Sequence, residues 1–327
     1  MKILAVFTGG TIACSVSEEY MRPDGDNKYL LLDNYKRTHK NGDLFDIKQP
    51  YCILSEQVKA EHIRILTELI IKSCGDYDGI VVMHGTDTLQ YVASAVAYSL
   101  GNSVKIPIIF VSSNYPLEDP KANGYANFEA AVEFVRSREE GVFISYRNPG
   151  EDTTLIHLAT RALAQAEQND RIDSVANMYF AAYRNGELKK NPGFCKGGYS
   201  KGLGILELSE NSGILVVHSH PGDSFSYCLD NVKAVILCPY HSGTLNTDSE
   251  YLKSFCDKAR GKNIPVFVAD TFGGKEYESA KLYPEYGIIS LPRAAFPAVY
   301  IKIWIAVSRG TGILPFMQDS VAGEFSE

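Results

Sequence analysis

The sequence predicts an α/β fold of two α/β domains: a larger N-terminal one around a doubly wound, mostly parallel sheet, and a smaller C-terminal one with its own parallel sheet. Three observations carry this. Short apolar runs alternate with stretches in which apolar residues recur every three or four positions, the pattern of parallel strands covered by helices. Polar residues gather just past the apolar runs, where an open α/β sheet forms its ligand crevice. The alternation pauses in a stretch rich in Gly, Lys and Asn at 185–201 and resumes at smaller scale. This places domains at 1–190 and 204–327, joined by a linker at 191–203.

Taken in order, Lys2 to Phe7 reads as a strand ending in Thr8-Gly9-Gly10-Thr11. The paired glycines allow a sharp turn with exposed amides, and Thr11 offers a hydroxyl at the mouth of the sheet. The turn lacks both the GxGxxG spacing and the Lys-Ser/Thr of a P-loop, so nucleotide phosphate is not its expected ligand. Ser15 to Lys48 is polar and weakly periodic, and reads as a lid or hairpin over a site. Tyr51 to Leu54 reads as a second strand, leading through Ser55, Glu56 and Gln57 to a helix at 59–73. Gly79 to Met83 is a strand; after the turn His84-Gly85-Thr86-Asp87-Thr88 comes a helix with Leu89, Val92, Ala93, Val96 and Ala97 on one face. Thr86 and Asp87 read two ways, as a helix cap or as groups aimed at a substrate.

Ile106 to Val111 is the next strand, ending in Ser112, Ser113 and Asn114, followed by a helix at 127–138 and a strand at 141–145. Leu155 to Ala166 reads as a helix with His157 and Arg161 on its polar side. Past the linker come strands at 214–218, 234–238, 266–269 and 287–289 and helices at 250–258 and 297–307. Asp270 and Thr271, just past one of these strands, are further crevice candidates.

Composition narrows the function. With 45% hydrophobic and 22% charged residues the chain is globular in character, and a net charge of -7 argues against a nucleic-acid platform. No apolar run approaches a membrane span, and the opening apolar run breaks at Gly9 and Gly10 without a signal-peptide pattern, so the expected setting is cytoplasmic. Seven cysteines without a CxxC fit reduced thiols. His218, His220 and Asp223 lie close enough in sequence to suggest a metal, but loop histidines explain them; neither metal nor cofactor is expected.

Thr8-Gly9-Gly10-Thr11-Ile12-Ala13 and His84-Gly85-Thr86-Asp87-Thr88-Leu89, in this order at the ends of early strands, resemble the bacterial-type L-asparaginase/glutaminase family, most of all its cytoplasmic type I members. Leu54-Ser55-Glu56-Gln57, Ser112-Ser113-Asn114-Tyr115-Pro116-Leu117 and Asn123-Gly124-Tyr125-Ala126-Asn127 extend the resemblance, as does the larger-then-smaller domain layout. The resemblance implies hydrolysis of a small-molecule side-chain amide, L-asparagine or a relative, to a carboxylate and ammonia. It implies Thr11 as nucleophile with Tyr20 as hydroxyl partner, Thr86 for the attacking water or second half-reaction, and Asp87 for the substrate ammonium. Ser55 would meet the substrate carboxylate, with Glu56, Gly10, Ser113 and Asn114 completing the pocket. A homodimer or homotetramer is also implied, in which the loop Tyr240 to Thr244 approaches a neighbour's site. Physical chemistry is compatible: a carboxylate at a helix N-terminus suits an ammonium partner, a threonine nucleophile needs a base or relay, and amides near Gly10 and at Ser113-Asn114 would stabilise an oxyanion.

One element of the family pattern is missing, a lysine that completes a Thr-Lys-Asp relay after the strand at 141–145. Leu155 takes its place if the sequences are matched without a gap, and Arg161 if a short insertion is allowed. Leucine carries no proton and arginine does not give one up. An amino-acid-binding or sensing protein with weakened chemistry is therefore the alternative reading. An amidase component of a transamidation complex is a third, disfavoured by the lack of a recognisable appended N-terminal partner domain.

Overall fold

The structure, a computed structural model, describes residues 1–16, 21–23, 27–268 and 277–326. Two sheets organise it. The first, of eight strands, is built from β1 (Lys2–Phe7), β4 (Leu44–Lys48), β5 (Gly79–Met83), β6 (Pro107–Val111), β7 (Gly141–Tyr146), β8 (Thr154–Leu158), β9 (Ala181–Arg184) and β10 (Glu187–Lys190). The strand order is β10-β9-β8-β7-β6-β5-β1-β4. From β4 to β7 all pairings are parallel, whereas β8, β9 and β10 are added antiparallel. A small hairpin, β2 (Cys14–Val16) with β3 (Met21–Pro23), follows the first strand.

Helices cover both faces, as a doubly wound sheet requires. On one face α2 (Ala60–Ser73) and α3 (Leu89–Leu100) bury Ile63, Leu66, Leu89, Val92 and Val96 against Val82, Phe110 and Ile144. On the other, α1 (Asn27–Thr38) and α4 (Gly124–Arg136) bury Leu31, Phe128, Ala131 and Val135 against Ala5, Val81 and Ile109. The central strands are buried along both faces, which is why they read as unbroken apolar runs.

The second sheet is parallel throughout, with order β11 (Ile214–His218), β12 (Ala234–Cys238), β13 (Val266–Val268), β14 (Ile288–Ser290). Helix α5 (Glu250–Gly261), capped by the Ser249 side chain, covers one face, and the short α6 (Tyr283–Tyr286) precedes β14. Helix α7 (Phe296–Arg309) begins with proline in its first turn and stops at Gly310 in the left-handed conformation. It serves both sheets, burying Val299 and Ile303 against the second and Ala298, Ile301 and Ile305 against α3 and the first. After α8 (Ile313–Gln318), residues 319–325 run back onto the first sheet's body, where Lys302 Nζ and Glu324 Oε1 form a buried ion pair at 2.6 Å.

Two expected elements are corrected. Leu155 to Ala166 is not a helix: it is β8 followed by a single tight turn over Ala159–Arg161. Pairing with β7 on one side and β9 on the other fixes it as extended chain, and that overrides its helix-like spacing. Tyr51 to Leu54 is not a strand either; only Ile53 bridges, to Gly9, while the strand beside β1 is β4, within the region read as a lid. Asp270 and Thr271 lie outside the described residues.

Candidate active site

Three loops at the ends of β1, β5 and the Ile53 bridge meet backbone to backbone. Gly9 and Gly10 have φ of +107° and +76°, conformations in which glycine has no steric penalty. A Cβ on Gly10 would stand 2.2 Å from the Gly85 Cα, and one on Gly85 would stand 2.6 Å from the Ser55 Cβ. Glycine is therefore required at both positions for contact. Ile53 locks the junction by donating to Thr8 O at 3.1 Å and accepting from the Gly10 amide at 3.0 Å. The residues that follow these glycines are Thr11 and Thr86, so the contact sets the two threonines on neighbouring loops.

Ser55 and Asp87 complete this corner. The Ser55 hydroxyl donates to Asp87 Oδ2 at 2.7 Å, and the Thr88 hydroxyl donates to the Ser55 carbonyl at 2.9 Å. Ser55 is buried, Asp87 is exposed, and Thr11 and Thr86 are half-buried, so the carboxylate reaches solvent from a fixed base. A serine hydroxyl has one proton; while it donates to Asp87 it can accept from a bound ammonium but must turn to donate to a bound carboxylate. His84 lies beneath. Its Nδ1 donates to Gly85 O at 2.8 Å, and burial holds its imidazole down at about 4. Glu56 is exposed in the turn after Ser55.

The loop after β6 is held by asparagines. Asn114 N donates to Asn123 Oδ1 at 2.9 Å, Asn123 Nδ2 donates to Arg147 O at 2.8 Å, and Asn127 Nδ2 donates to Ser112 O at 2.8 Å. Ser113 is buried, its hydroxyl donating to Tyr115 O. Two of the amides expected for an oxyanion are therefore already in use, Gly10 N–H on Ile53 and Asn114 N–H on Asn123. Sequence reasoning gives Asn123 and Asn127 no role of their own; an asparagine at and near a helix start is the available signal. Tyr20 lies outside the described residues.

Arg161 and His157, on the stretch after the strand at 141–145, are committed to structural partners. Arg161 is buried and donates to the carbonyls of Gly323, Cys195 and Phe325 at 2.7, 2.9 and 2.7 Å. His157 is buried with its Nδ1 2.7 Å from the Ser174 hydroxyl, and burial lowers it to about 4. Leu155 faces Tyr146 across β7 and β8, and Lys121 is exposed.

A cleft of about 470 Å³ opens beside the corner, lined among others by Asp87, Thr88, Tyr91, His218, Tyr300 and Trp304. A cavity of about 530 Å³ at the far end of the second sheet, near Arg260, Pro265 and Leu314, contains none of the expected site residues. Among the described residues no group of three or more His, Cys, Asp or Glu is arranged to hold a metal, and no helix is long and apolar enough to cross a membrane.

Comparison with known proteins bears on the fold and the family. The whole chain superposes on the thermostable L-asparaginase from Thermococcus kodakarensis with a TM-score of 0.81, at 22% identity and 100% coverage of both chains, a likeness of fold. In sequence, an L-asparaginase of the same organism is 29% identical over 147 residues, 45% of this chain and 44% of the relative. The D-type component of a glutamyl-tRNA(Gln) amidotransferase from Saccharolobus islandicus is 27% identical over 265 residues, 78% of this chain and 58% of the relative. These matches thus span less than two thirds of the relatives' own lengths. The family model described as "Asparaginase, N-terminal" matches residues 2–192, more than half of the 327 residues, and the chain belongs to the asparaginase family.

Proposed function

We propose that the protein is an amidohydrolase of L-asparaginase type, converting the side-chain amide of L-asparagine or a close relative to a carboxylate and ammonia. The supporting observation is the Gly10–Gly85–Ser55 contact, which gathers Thr11, Thr86, Ser55 and Asp87 at one corner of the crevice. The Thr11 oxygen attacks the amide carbon, the C–N bond breaks, and the threonine proton leaves with the nitrogen as ammonia. Water then adds to the ester carbon and the bond from that carbon to the Thr11 oxygen breaks; the water oxygen stays with the product carboxylate, one of its protons returns to Thr11 and the other passes to the released ammonia. Asp87 takes the substrate ammonium and Thr86 holds the water. Ser55 fixes the Asp87 carboxylate, with Ser113, Asn114 and Glu56 bordering the pocket.

The working form we propose is a cytoplasmic homodimer or homotetramer. The test is ammonia release from L-asparagine and L-glutamine by purified protein. Release that falls by about 10⁴-fold in Thr11→Ala supports the reading; release no greater than that of the variant overturns it. A second reading, the amidase component of an amidotransferase, draws on the match to the Saccharolobus islandicus relative, and preference for glutamine over asparagine in the same assay favours it.

A further inference from the structure

Behind the Thr86 loop lies a row of buried polar groups that the proposed chemistry has not used. Met83, Val111 and Ser145 stand in register across β5, β6 and β7. The next residues outward are His84, Ser112 and Tyr146. Phe110, Ile144 and Tyr146 belong to the core on the α3 face, so Tyr146 rises on the side from which α3 begins. Gln90 is buried in the first turn of that helix.

Three polar atoms here are fully enclosed and make no well-formed hydrogen bond among the described residues: Gln90 Nε2, Ser112 Oγ and the Tyr146 hydroxyl. Buried polar atoms are nearly always partnered, so three such atoms on adjoining elements behind the Thr86 loop point to a polar occupant or a chemical role. The side chains of Asn123, which braces the loop after β6, and of Gln165 come within reach of the Tyr146 hydroxyl and offset part of the effect of its burial. Burial pushes the phenol up to about 12, so it stays neutral.

We infer that Tyr146 is a positioning residue of the amide-hydrolysing site: with Ser112 and Gln90 it holds the water used behind Thr86, the orienting task for which this chain has no lysine. A phenol accepts one hydrogen bond and donates one, so it can take a water proton while its own proton rests on a neighbouring oxygen. No proton needs to leave it. The inference rests on the amidohydrolase reading above, and the experiment separates the two.

Tyr146→Phe keeps the ring and removes the hydroxyl. An idle buried hydroxyl is a burden on folding, so its loss would leave turnover alone and keep or raise the melting temperature. A positioning hydroxyl gives a different signature: kcat falls by about 100-fold, KM changes little, and the melting temperature still holds or rises. Steady-state ammonia release and thermal melts of wild type and variant decide between them. A wild type that turns over amide beside a Tyr146→Phe protein with the same kcat overturns this inference alone. A wild type that releases no ammonia overturns both readings.

Discussion

The two sides of the crevice are held together differently. On the Thr11 side, Gly9 meets Ile53 and Gly10 meets Gly85 through backbone, Gly85 packs on the Ser55 side chain, and Asp87, held by the Ser55 hydroxyl, faces solvent. On the β8 side, side chains do the holding: Arg161 reaches three carbonyls of distant chain and His157 binds Ser174. Backbone contact fixes position to a few tenths of an ångström and tolerates no added atom, whereas side-chain bonds tolerate exchange of the residue. The Gly10–Gly85–Ser55 corner is thus the more closely packed side, and the β8 side is the one held by side chains.

Acid is the broadest probe of this contrast, because each side contains one buried histidine. His84 and His157 stay neutral in the fold down to about 4, while in the unfolded chain they take up protons near 6.5. The stability each contributes is complete above pH 6.5 and is lost as pH falls from there to about 4, about 3 kcal/mol per histidine. Urea unfolding at pH 7 and pH 4.5 measures the decline, and His157→Gln should remove about half of it; a decline left intact in that variant would place the acid sensitivity elsewhere. Gly10→Ala is expected to cost about 3 kcal/mol or more and most of the activity, since backbone stands 2.2 Å from the new methyl. Near-normal melting of that variant would show that the glycine contact can relax.

Arg161→Met leaves carbonyls of Gly323, Cys195 and Phe325 without their donor and should cost about 2–3 kcal/mol. The folded fraction should keep its kcat, because the guanidinium is structural; a kcat collapse at unchanged stability would return Arg161 to the relay. The smallest effect belongs to Ser55→Ala, about 1 kcal/mol in stability with a rise in KM, read from melts and steady-state kinetics.

The central strands and their crevice residues are legible in the sequence because both faces are buried and the turn residues sit at strand ends. The stretch from Leu155 misleads because Leu155, Leu158, Ala159 and Ala162 repeat at helical spacing, while β7 and β9 decide its conformation from outside the segment. The engagement of the Gly10 and Asn114 amides is invisible for a related reason: their acceptors, Ile53 and Asn123, are remote in sequence and reach them only through the fold. Tyr146 carries no signal at all. Its place in the row depends on strand register, which no local pattern encodes.

The return of residues 319–325 to the first sheet bears on how the chain is made. Arg161 finds its Gly323 acceptor 162 residues later, and Thr160 finds Ala322 at the same separation. While the chain emerges from the ribosome, Arg161 therefore lacks two of its three carbonyl acceptors until the whole second sheet has been synthesised. Translation stalled after residue 318 should leave the first body collapsed but protease-sensitive around β8, and completing those last residues should close it.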